Sequence, residues 1–334
     1  MEMILLVSLL VSFLVAAISL PIWIRKAKKI GLVWEDMNKW GHPKNVASSG
    51  GIVIVLSFIL GVLYYVAVKT FLVENNPQVI LSIFALISVI LIFAGLGLVD
   101  DLFGWKDGGL PRNLRIALAF VASIPLVVIN AGNSAVTLPF FGAVNIGILY
   151  PLLIIPVAIA FSAISFNFLA GFNGLEAGQG ILILTFFSAV AYFTGTQWLA
   201  LVGMTMVAAL LVFFAYNRFP AKVFPGDSLT WSIGALAAGM AILGNFEKVA
   251  MIVFIPYLIE IVLKARGRLE AHSFGKPNSD GSLNMPYKRI YGLTHFSILV
   301  LSKIKKKVYE RDVVLFIFLI ELFFIALASL TLLG

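Results

Sequence analysis

Long runs of hydrophobic residues alternate with short polar segments along most of this chain. A helix needs about 20 apolar residues to cross the ~30 Å hydrocarbon core of a bilayer. By that measure the sequence predicts an all-α, polytopic membrane protein with about ten transmembrane helices in one integral-membrane domain over residues 1–334. The predicted spans are 4–24, 46–68, 78–99, 115–131, 148–166, 180–194, 197–215, 228–244, 247–264 and 312–332.

The basic residues divide sharply between the two sides of this predicted bundle. The loops after the first, third, fifth, seventh and ninth spans, with the adjoining helix ends, hold 22 of the 24 Lys and Arg residues. Only Lys69 and Lys248 lie on the opposite side. Because basic loops face the cytoplasm, we expect those five loops to be cytoplasmic, including the long loop at about 265–311, and both termini to lie outside.

Composition excludes several classes of protein. Hydrophobic residues make up 61% of the chain and charged residues 12%, and cysteine is absent. Soluble domains carry about 25% charged residues, so a soluble enzyme, a nucleic-acid module and a disordered chain are excluded. Without cysteine there is no disulfide scaffold, thiolate metal site or cysteine nucleophile. The basic run at 25–29 follows the first apolar stretch, which indicates a span and not a cleaved signal peptide.

Most polar side chains that could support chemistry fall in the predicted cytoplasmic loops. The predicted outer side offers little beyond Glu74, Asn75, Glu247 and an apolar connector over 131–147, with a short hairpin predicted at 139–144. A transporter usually carries polar or broken-helix sites near the bilayer midplane, often with repeat symmetry. The pattern fits better an enzyme that joins a water-soluble substrate to a lipid head group at one interface.

Three features near the membrane are less informative. Glu260 lies four residues before Lys264, which favours a local ion pair. Glu321 lies deep in the last predicted span and has no explanation in the sequence. The lysine-rich run at 303–307 predicts an amphipathic helix on anionic lipid, with a solvated charge run as the alternative.

Two adjacent carboxylates, Asp100 and Asp101, end the third predicted span. Two neighbouring negative charges at a low-dielectric boundary repel each other, so the pair implies a compensating cation such as Mg²⁺, a shared proton, or contact with solvent. A solvated helix cap is the alternative.

Two further loops combine rigid turns with polar side chains. The segment 167–180 has four glycines, whose freed N–H groups suit a phosphate or a nucleobase edge, although a tight structural turn would also favour glycine. In the segment 216–228, prolines and a glycine hold Phe224 and Asp227, which indicates base stacking beside a metal. Asp227 could equally be a helix N-cap.

In the last predicted cytoplasmic loop, Arg266 and Arg268 could engage a diphosphate from two directions.

These segments, in this order, resemble the polyprenyl-phosphate N-acetylhexosamine-1-phosphate transferase family. The shared motifs are the Asp-Asp pair after span three, the loop Asn-x-x-Ala-Gly-x-Asn-Gly-Leu-Glu-Ala-Gly-Gln and Phe-x-Gly-Asp before span eight. The loop and the Arg-x-Arg at 266–268 are most similar to the archaeal and eukaryotic branch that uses UDP-N-acetylglucosamine and dolichyl phosphate. The muramoyl-pentapeptide branch has an Asp-rich version of the loop and a histidine cluster, which this sequence lacks.

The resemblance implies a role for each matching position. Asn167 and Asp227 would ligate a catalytic Mg²⁺, with Mn²⁺ as a substitute, and Asp100 and Asp101 would bind or deprotonate the lipid phosphate. Arg115 stands where the family has a lysine. The residues implied in catalysis are Asp100, Asp101, Asp227 and Arg115, and those implied in substrate binding are Asp36, Asn38, Lys39, Asn173, Gly174, Glu176, Phe224, Arg266 and Arg268.

The implied reaction transfers N-acetylglucosamine 1-phosphate from UDP-N-acetylglucosamine to a polyprenyl or dolichyl phosphate and releases UMP. Another UDP-N-acetylhexosamine, undecaprenyl phosphate as acceptor, and a nucleotide-sugar or lipid-phosphate transporter remain alternatives. The expected setting is a prokaryotic, archaeal plasma membrane with the active site on the cytoplasmic face. Membrane lipids are expected partners and nucleic acid is not, and the oligomeric state stays open, a homodimer included.

Overall fold

A computed structural model describes residues 2–73, 76–138 and 142–332 of the chain. Most of these residues are helical, and seven helices among them are long and apolar enough to cross a membrane, as expected for a polytopic membrane protein. They are Leu6–Ile30, Gly51–Leu72, Pro77–Gly104, Tyr150–Phe168, Leu175–Phe193, Gln197–Asn217 and Glu310–Leu330.

The complete helices, in chain order, are α1 (Glu2–Ile30), α2 (Gly51–Leu72), α3 (Pro77–Asp107), α4 (Arg112–Ala122), α5 (Ile124–Val128), α6 (Ile155–Phe168), α7 (Leu175–Phe193), α8 (Gln197–Asn217), α9 (Asp227–Leu243), α10 (Glu247–Val253), α11 (Ile255–Arg266), α12 (Leu293–Ile304) and α13 (Glu310–Leu330). A π-helical turn, Tyr150–Ile154, precedes α6. Three antiparallel ribbons complete the described chain: β1 (Val33–Glu35) with β2 (Lys44–Ala47), β3 (Ala135–Leu138) with β4 (Gly142–Asn145), and β5 (Lys276–Pro277) with β6 (Leu283–Asn284).

Two of the predicted spans are interrupted. The stretch 115–131 is divided between α4 and α5, with Ser123 between them and Pro125 in the first turn of α5. The stretch 247–264 is divided between α10 and α11, where Pro256 takes the same position. Proline is tolerated in a first turn because the N–H that it lacks would have no helical partner there, and it breaks a continuous helix.

The connector before α6 contains the arms of a hairpin, in which Ala135 pairs with Asn145. The turn of the predicted hairpin, at 139–141, lies outside the described residues, as do Glu74 and Asn75.

The prediction of an amphipathic helix over the lysine-rich run at 303–307 was wrong. Helix α12 ends at Ile304, and the chain that follows it is not helical. Lys305 Nζ pairs with Asp312 Oδ1 at 2.5 Å and Lys307 Nζ with Asp280 Oδ2 at 2.7 Å. The hydrogen bond from Lys307 holds the pKa of Asp280 below its usual range. These lysines therefore join the segment after α12 to the first turn of α13 and to the turn between β5 and β6, instead of forming one face of a helix.

Helix α9 is the core of the bundle and is buried along almost its whole length. It packs antiparallel to α3 and α6, and a glycine allows close approach at each contact. A Cβ on Gly97 would lie 2.4 Å from Ser228 N, and a Cβ on Gly234 would lie 2.3 Å from Ser162 O. Because these contacts bring backbones together, the ends of α3 and α6 meet the beginning of α9 in one place.

The loop before α9 is bonded to the loop before α2. Phe224 N donates to Ala47 O at 2.8 Å, and Gly50 N donates to Phe224 O at 3.0 Å. The backbone at Phe224 is therefore held from both sides.

The predicted ion pair near the end of α11 is confirmed, since Lys264 Nζ lies 3.9 Å from Glu260 Oε1. Glu260 has a second contact, because its Oε2 accepts a hydrogen bond of 2.6 Å from Leu293 N at the start of α12. Lys264 Nζ donates to Ser273 Oγ at 2.5 Å. This buried pair therefore joins α11 to the chain that follows it.

Candidate active site

A cavity of about 420 Å³ opens where α3 and α6 end and α9 begins. We call it the catalytic cavity. It brings together side chains from five separate connections between helices. Of the residues singled out from the sequence, those that line it are Asp36, Asp100, Asp101, Arg115, Asn167, Glu176, Phe224 and Asp227.

The two neighbouring aspartates at the end of α3 have different environments. Asp101 Oδ1 accepts a hydrogen bond of 2.7 Å from Asp227 N, and Ser228 N lies 3.5 Å from its Oδ2. The carboxylate of Asp101 therefore caps the N-terminus of α9, where backbone N–H groups and the helix dipole favour negative charge. A Cβ on Gly226 would come within 2.2 Å of Asp101 Oδ2, so only glycine fits beside this cap.

Asp100 instead faces Arg115 at the start of α4. Its Oδ1 lies 3.0 Å from Arg115 Nε and accepts a hydrogen bond of 2.6 Å from Leu110 N. Arg115 Nε also donates to Leu110 O at 2.9 Å. Asp100 is thus held by the connection that follows α3, whereas Asp101 is held by α9.

Asp227 and Asn167 are in direct contact. Asn167 Nδ2 donates to Asp227 Oδ1 and to Thr230 Oγ1, both at 2.8 Å. Asn167 is near the end of α6 and Asp227 is the first residue of α9, so this contact depends on the close packing of the two helices.

The catalytic cavity is strongly acidic. Among the side chains that the structure describes, its lining includes six carboxylates and a single cation, that of Arg115. Like charges at short range in a partly buried site repel unless a cation or a proton compensates them. The cavity can therefore bind a cation together with an anionic substrate. The carboxylate residues of the lining are Glu35, Asp36, Asp100, Asp101, Glu176 and Asp227.

One side of the cavity is braced by a network that we call the clamp, formed by Asp36, Lys39, Asn173 and Glu310. Lys39 Nζ lies 3.3 Å from Asp36 Oδ2 and also forms an ion pair with Glu310. Asn173 Nδ2 donates to Asp36 Oδ2 at 3.0 Å, and Asn173 N donates to Glu310 Oε1 at 2.7 Å. The clamp joins the first loop, the glycine-rich loop and the start of α13.

Asn38 fastens two further segments beside the clamp. Its Nδ2 donates to Gly171 O at 2.7 Å, and its Oδ1 accepts from Gly275 N at 3.0 Å. Asn38, Lys39 and Asn173 thus contact protein groups, and none of the three is in the lining of the catalytic cavity. Their predicted role in substrate binding stays a prediction.

The glycine-rich loop is shaped by hydrogen bonds to side chains. Gly171 N donates to Glu176 Oε1 at 2.8 Å, and Gly174 N donates to Asn217 Oδ1 at 3.1 Å. Gly174 has φ of +88°, which glycine adopts without strain, and α7 begins directly after it. Between Asn167 and Glu176, the residues of this segment that line the cavity are 170–172, so the predicted contact of Gly174 with the substrate also stays a prediction.

Arg266 and Arg268 lie at the end of α11 and are exposed, and neither is in the lining of the catalytic cavity. From the same long segment the structure brings Phe274 to the cavity instead, where its ring packs over Gly171. The diphosphate contact predicted for the two arginines stays a prediction.

A group of buried polar side chains lies behind Glu176, inside the bundle. Gln179 Nε2 donates to Glu321 Oε2 at 3.4 Å. In the described part of the chain, Glu176 Oε2, Gln179 Oε1, Tyr257 OH and Glu321 Oε1 are buried without a hydrogen-bond partner. Glu321 therefore belongs to a polar pocket behind the catalytic cavity, and polar atoms of this kind usually bind internal water.

Sequence reasoning missed Glu310, Thr230 and Phe274. The last span was predicted to begin at residue 312, which left Glu310 in the loop, and its partner Lys39 is 271 residues away. The available signal for Glu310 was its position between the lysine-rich run at 303–307 and the apolar last span. Thr230 lies one turn after Asp227, so helical spacing could have indicated it.

Comparison with known proteins supports the family resemblance that these motifs indicate. The model of glycosyl transferase family 4 matches residues 83–245. A Saccharolobus solfataricus protein named as a UDP-N-acetylglucosamine–dolichyl-phosphate N-acetylglucosaminephosphotransferase is 35% identical over 328 residues, which cover 97% of this chain and 95% of that protein. A protein of Sulfolobus acidocaldarius with the same name is 35% identical over 328 residues, which cover 97% of this chain and 94% of that protein.

A more distant relative extends the comparison to bacteria. The phospho-N-acetylmuramoyl-pentapeptide-transferase of Streptococcus pyogenes is 28% identical over 264 residues, which cover 76% of this chain and 77% of that enzyme. The chain therefore belongs to glycosyl transferase family 4, among the polyprenyl-phosphate N-acetylhexosamine-1-phosphate transferases.

Proposed function

We propose that this protein transfers N-acetylglucosamine 1-phosphate from UDP-N-acetylglucosamine to dolichyl phosphate or another polyprenyl phosphate, releasing UMP. The observation that carries this function is the convergence of Asp100, Asp227 and Asn167 at one cavity between buried helix ends. The extent of the similarity to the two archaeal relatives supports the choice of donor and acceptor.

A divalent cation fits the chemistry of the cavity. Both substrates are anionic and the lining is acidic, so a bound cation would reduce the repulsion between them. Mg²⁺ usually takes one or two carboxylates and completes its shell with phosphate oxygens and water. We assign Asp227 and Asn167 to hold it.

The amide of Asn167 bears on this assignment. Its nitrogen contacts Asp227 Oδ1, whereas a metal would bind the amide oxygen. Rotation of the amide by about 180° exchanges the two atoms. Asn167 can therefore hold Asp227 in place in the absence of metal and serve as a ligand in its presence.

Asp100 and Asp101 are proposed to have separate roles. Asp101 is engaged by the N-terminus of α9, so it positions Asp227. Asp100, paired with Arg115, is the group that would orient the acceptor phosphate or accept its proton. An oxygen of the lipid phosphate attacks the β-phosphorus of the nucleotide sugar, the bond between that phosphorus and the bridging oxygen breaks, and UMP leaves with the bridging oxygen.

Aromatic side chains in the lining support recognition of the uracil base. Phe224 has its backbone held on both sides, and Trp34 and Phe172 also line the cavity. A base gains affinity by stacking on an aromatic ring whose orientation is already fixed. We assign the stacking contact to Phe224.

The ten-span arrangement with a cytoplasmic active site is part of the same proposal. The segments that line the cavity belong to the first, third, fifth, seventh and ninth predicted connections, all on the side predicted to hold 22 of the 24 basic residues. Nucleotide sugars are water-soluble, so a site at this interface would receive the donor from the cytoplasm and the acceptor from the membrane.

The test is a direct assay of chemistry with purified protein in detergent. Labelled UDP-N-acetylglucosamine, polyprenyl phosphate and Mg²⁺ should give equal amounts of UMP and labelled lipid, and a chelator should stop both. Reconstituted vesicles that take up the intact nucleotide sugar without releasing UMP would identify a transporter and overturn the proposal. The same assay with other UDP-N-acetylhexosamines tests the choice of donor.

A further inference from the structure

A second cavity, of about 580 Å³, lies between the end of α8, the loop that follows it and the first turns of α13. We call it the lateral cavity. Its apolar walls are formed by Phe214, Val314, Leu315 and Phe318. None of the carboxylates assigned to catalysis above is in its lining. Asn173 is the one residue of the clamp that lines it.

The lateral cavity opens toward the outer surface of the bundle. Leu315 is 60% exposed, and Leu319, one turn further along the same face of α13, is 63% exposed. Leu211 on α8 is also exposed. Large apolar side chains exposed on a helix that is long enough to cross a membrane are expected to face lipid tails. The cavity is therefore continuous with a surface that lipid tails would cover.

Three cations lie at the polar end of this cavity: Arg218, Lys222 and Arg311. All three are exposed, and within residues 2–73, 76–138 and 142–332 none forms an ion pair. Arg311 donates to Phe219 O at 3.4 Å and packs against the Phe219 ring, and Lys222 packs against Tyr216.

The carboxylates nearest to Arg311 along the chain are engaged elsewhere. Glu310 pairs with Lys39 and accepts the N–H of Asn173. Asp312 pairs with Lys305 and accepts the N–H of Tyr309. The protein therefore leaves three positive charges uncompensated above an apolar, laterally open cavity. An anion with an attached hydrocarbon chain complements that arrangement.

We propose that the lateral cavity binds an anionic phospholipid of the surrounding membrane, with its phosphate among Arg218, Lys222 and Arg311 and a hydrocarbon chain along α13. This lipid is distinct from the acceptor, because the lining of the lateral cavity has no residue in common with that of the catalytic cavity, which holds Asp100 and Asp227. The inference does not depend on the proposed function.

The test measures lipid binding by native mass spectrometry on the full chain purified in a neutral detergent. Wild-type protein should bind phosphatidylglycerol about tenfold or more tightly than phosphatidylcholine, since each basic side chain near a lipid surface contributes measurably. The variant R218Q/K222Q/R311Q should lose most of this preference. The control K26Q/K28Q/K29Q removes three exposed lysines at the end of α1 that are not in the lining of the lateral cavity, and should keep this preference.

If the two triple variants preferred phosphatidylglycerol over phosphatidylcholine to the same degree, the proposal would be overturned. Equal binding of the two lipids by the wild-type protein would also overturn it. If the first triple variant does not fold, Arg218→Gln alone should reduce the preference about threefold. Inorganic phosphate in large excess should leave phosphatidylglycerol bound. Full displacement would assign the site to free phosphate instead.

The acceptor lipid is the remaining competitor. In the transferase assay R218Q/K222Q/R311Q should leave the KM for polyprenyl phosphate within about twofold of wild type. A parallel rise in that KM would assign the lateral cavity to the acceptor and overturn the proposal. A protein without transferase activity would fail the proposed function and still give the lipid-binding result.

Discussion

Two groups of carboxylates lie at the same end of this molecule, and they differ in what balances their charge. In the clamp, Asp36 and Glu310 share the Lys39 ammonium and the hydrogen bonds of Asn173. In the catalytic cavity, Asp101 and Asp227 are next to each other, and Asp100 pairs with Arg115, the one cation among the described side chains of the lining. Identical side chains thus brace the fold in one place and leave room for a cation in the other.

The difference gives a general criterion for such sites. A carboxylate whose charge is met by protein groups contributes to stability, whereas one that is left without a counterion costs stability and is retained for binding. The predictions below test whether the two groups can be separated in this way.

The largest effect is expected from Asp227→Asn. Removing this charge should reduce transfer at least ~100-fold, since it removes a metal ligand and electrostatic support for the transition state. The melting temperature in detergent should equal or exceed that of wild type, because one of three neighbouring negative charges is gone. UMP release and thermal unfolding provide the two measurements, and Glu270→Gln, at an exposed position, is the control that removes one negative charge elsewhere. Substantial residual transfer would contradict the metal role.

Next comes Lys39→Met, which breaks the clamp. Two largely buried carboxylates would lose their cation, and removal of one partner of a buried pair costs about 3–5 kcal/mol. We expect a clear loss of thermal stability, partly restored in the double variant Lys39→Met/Glu310→Gln. Lys44→Met, at an exposed position of β2, should have no effect on stability. A stable Lys39→Met protein that had lost only activity would place Lys39 with the catalytic group instead.

A smaller effect separates the adjacent aspartates. Asp101→Ala removes the cap of the buried helix α9 and should cost about 1–2 kcal/mol of stability. Asp100→Ala releases the short connection around Leu110 at the surface and should cost less, while abolishing transfer and sparing nucleotide binding. Chemical unfolding and nucleotide titration compare the two variants directly. Equal losses of stability would contradict the division of roles.

The smallest effect is expected from Phe224→Ala. Loss of base stacking costs about 1 kcal/mol or more per base, which corresponds to roughly a fivefold or greater rise in the KM for the nucleotide sugar. The KM for the lipid should stay unchanged, because the phosphorylated isoprenoid has no base. Steady-state kinetics with each substrate varied in turn measures both values, and an equal rise in the two would refute stacking.

The convergence of Asp227 and Asn167 follows from motifs that can be recognised in the sequence. The division between Asp100 and Asp101 does not, since consecutive residues on a helix point about 100° apart and their partners depend on packing against α4 and α9. Arg266 and Arg268 show another limit, because a basic motif indicates anion binding without saying which cavity it faces, and their diphosphate contact stays a prediction. The clamp was hidden by the distance along the chain between Lys39 and Glu310.

The close helix contacts at Gly97 and Gly234 have a consequence for the binding of ligands. The spacing of the ends of α3, α6 and α9 is determined by the missing side chains of these glycines, so it exists before any substrate binds. An inhibitor therefore gains little by inducing a new shape. Its affinity depends on matching a preorganised recess, and resistance would arise most simply from an alanine that widens the gap between two helices.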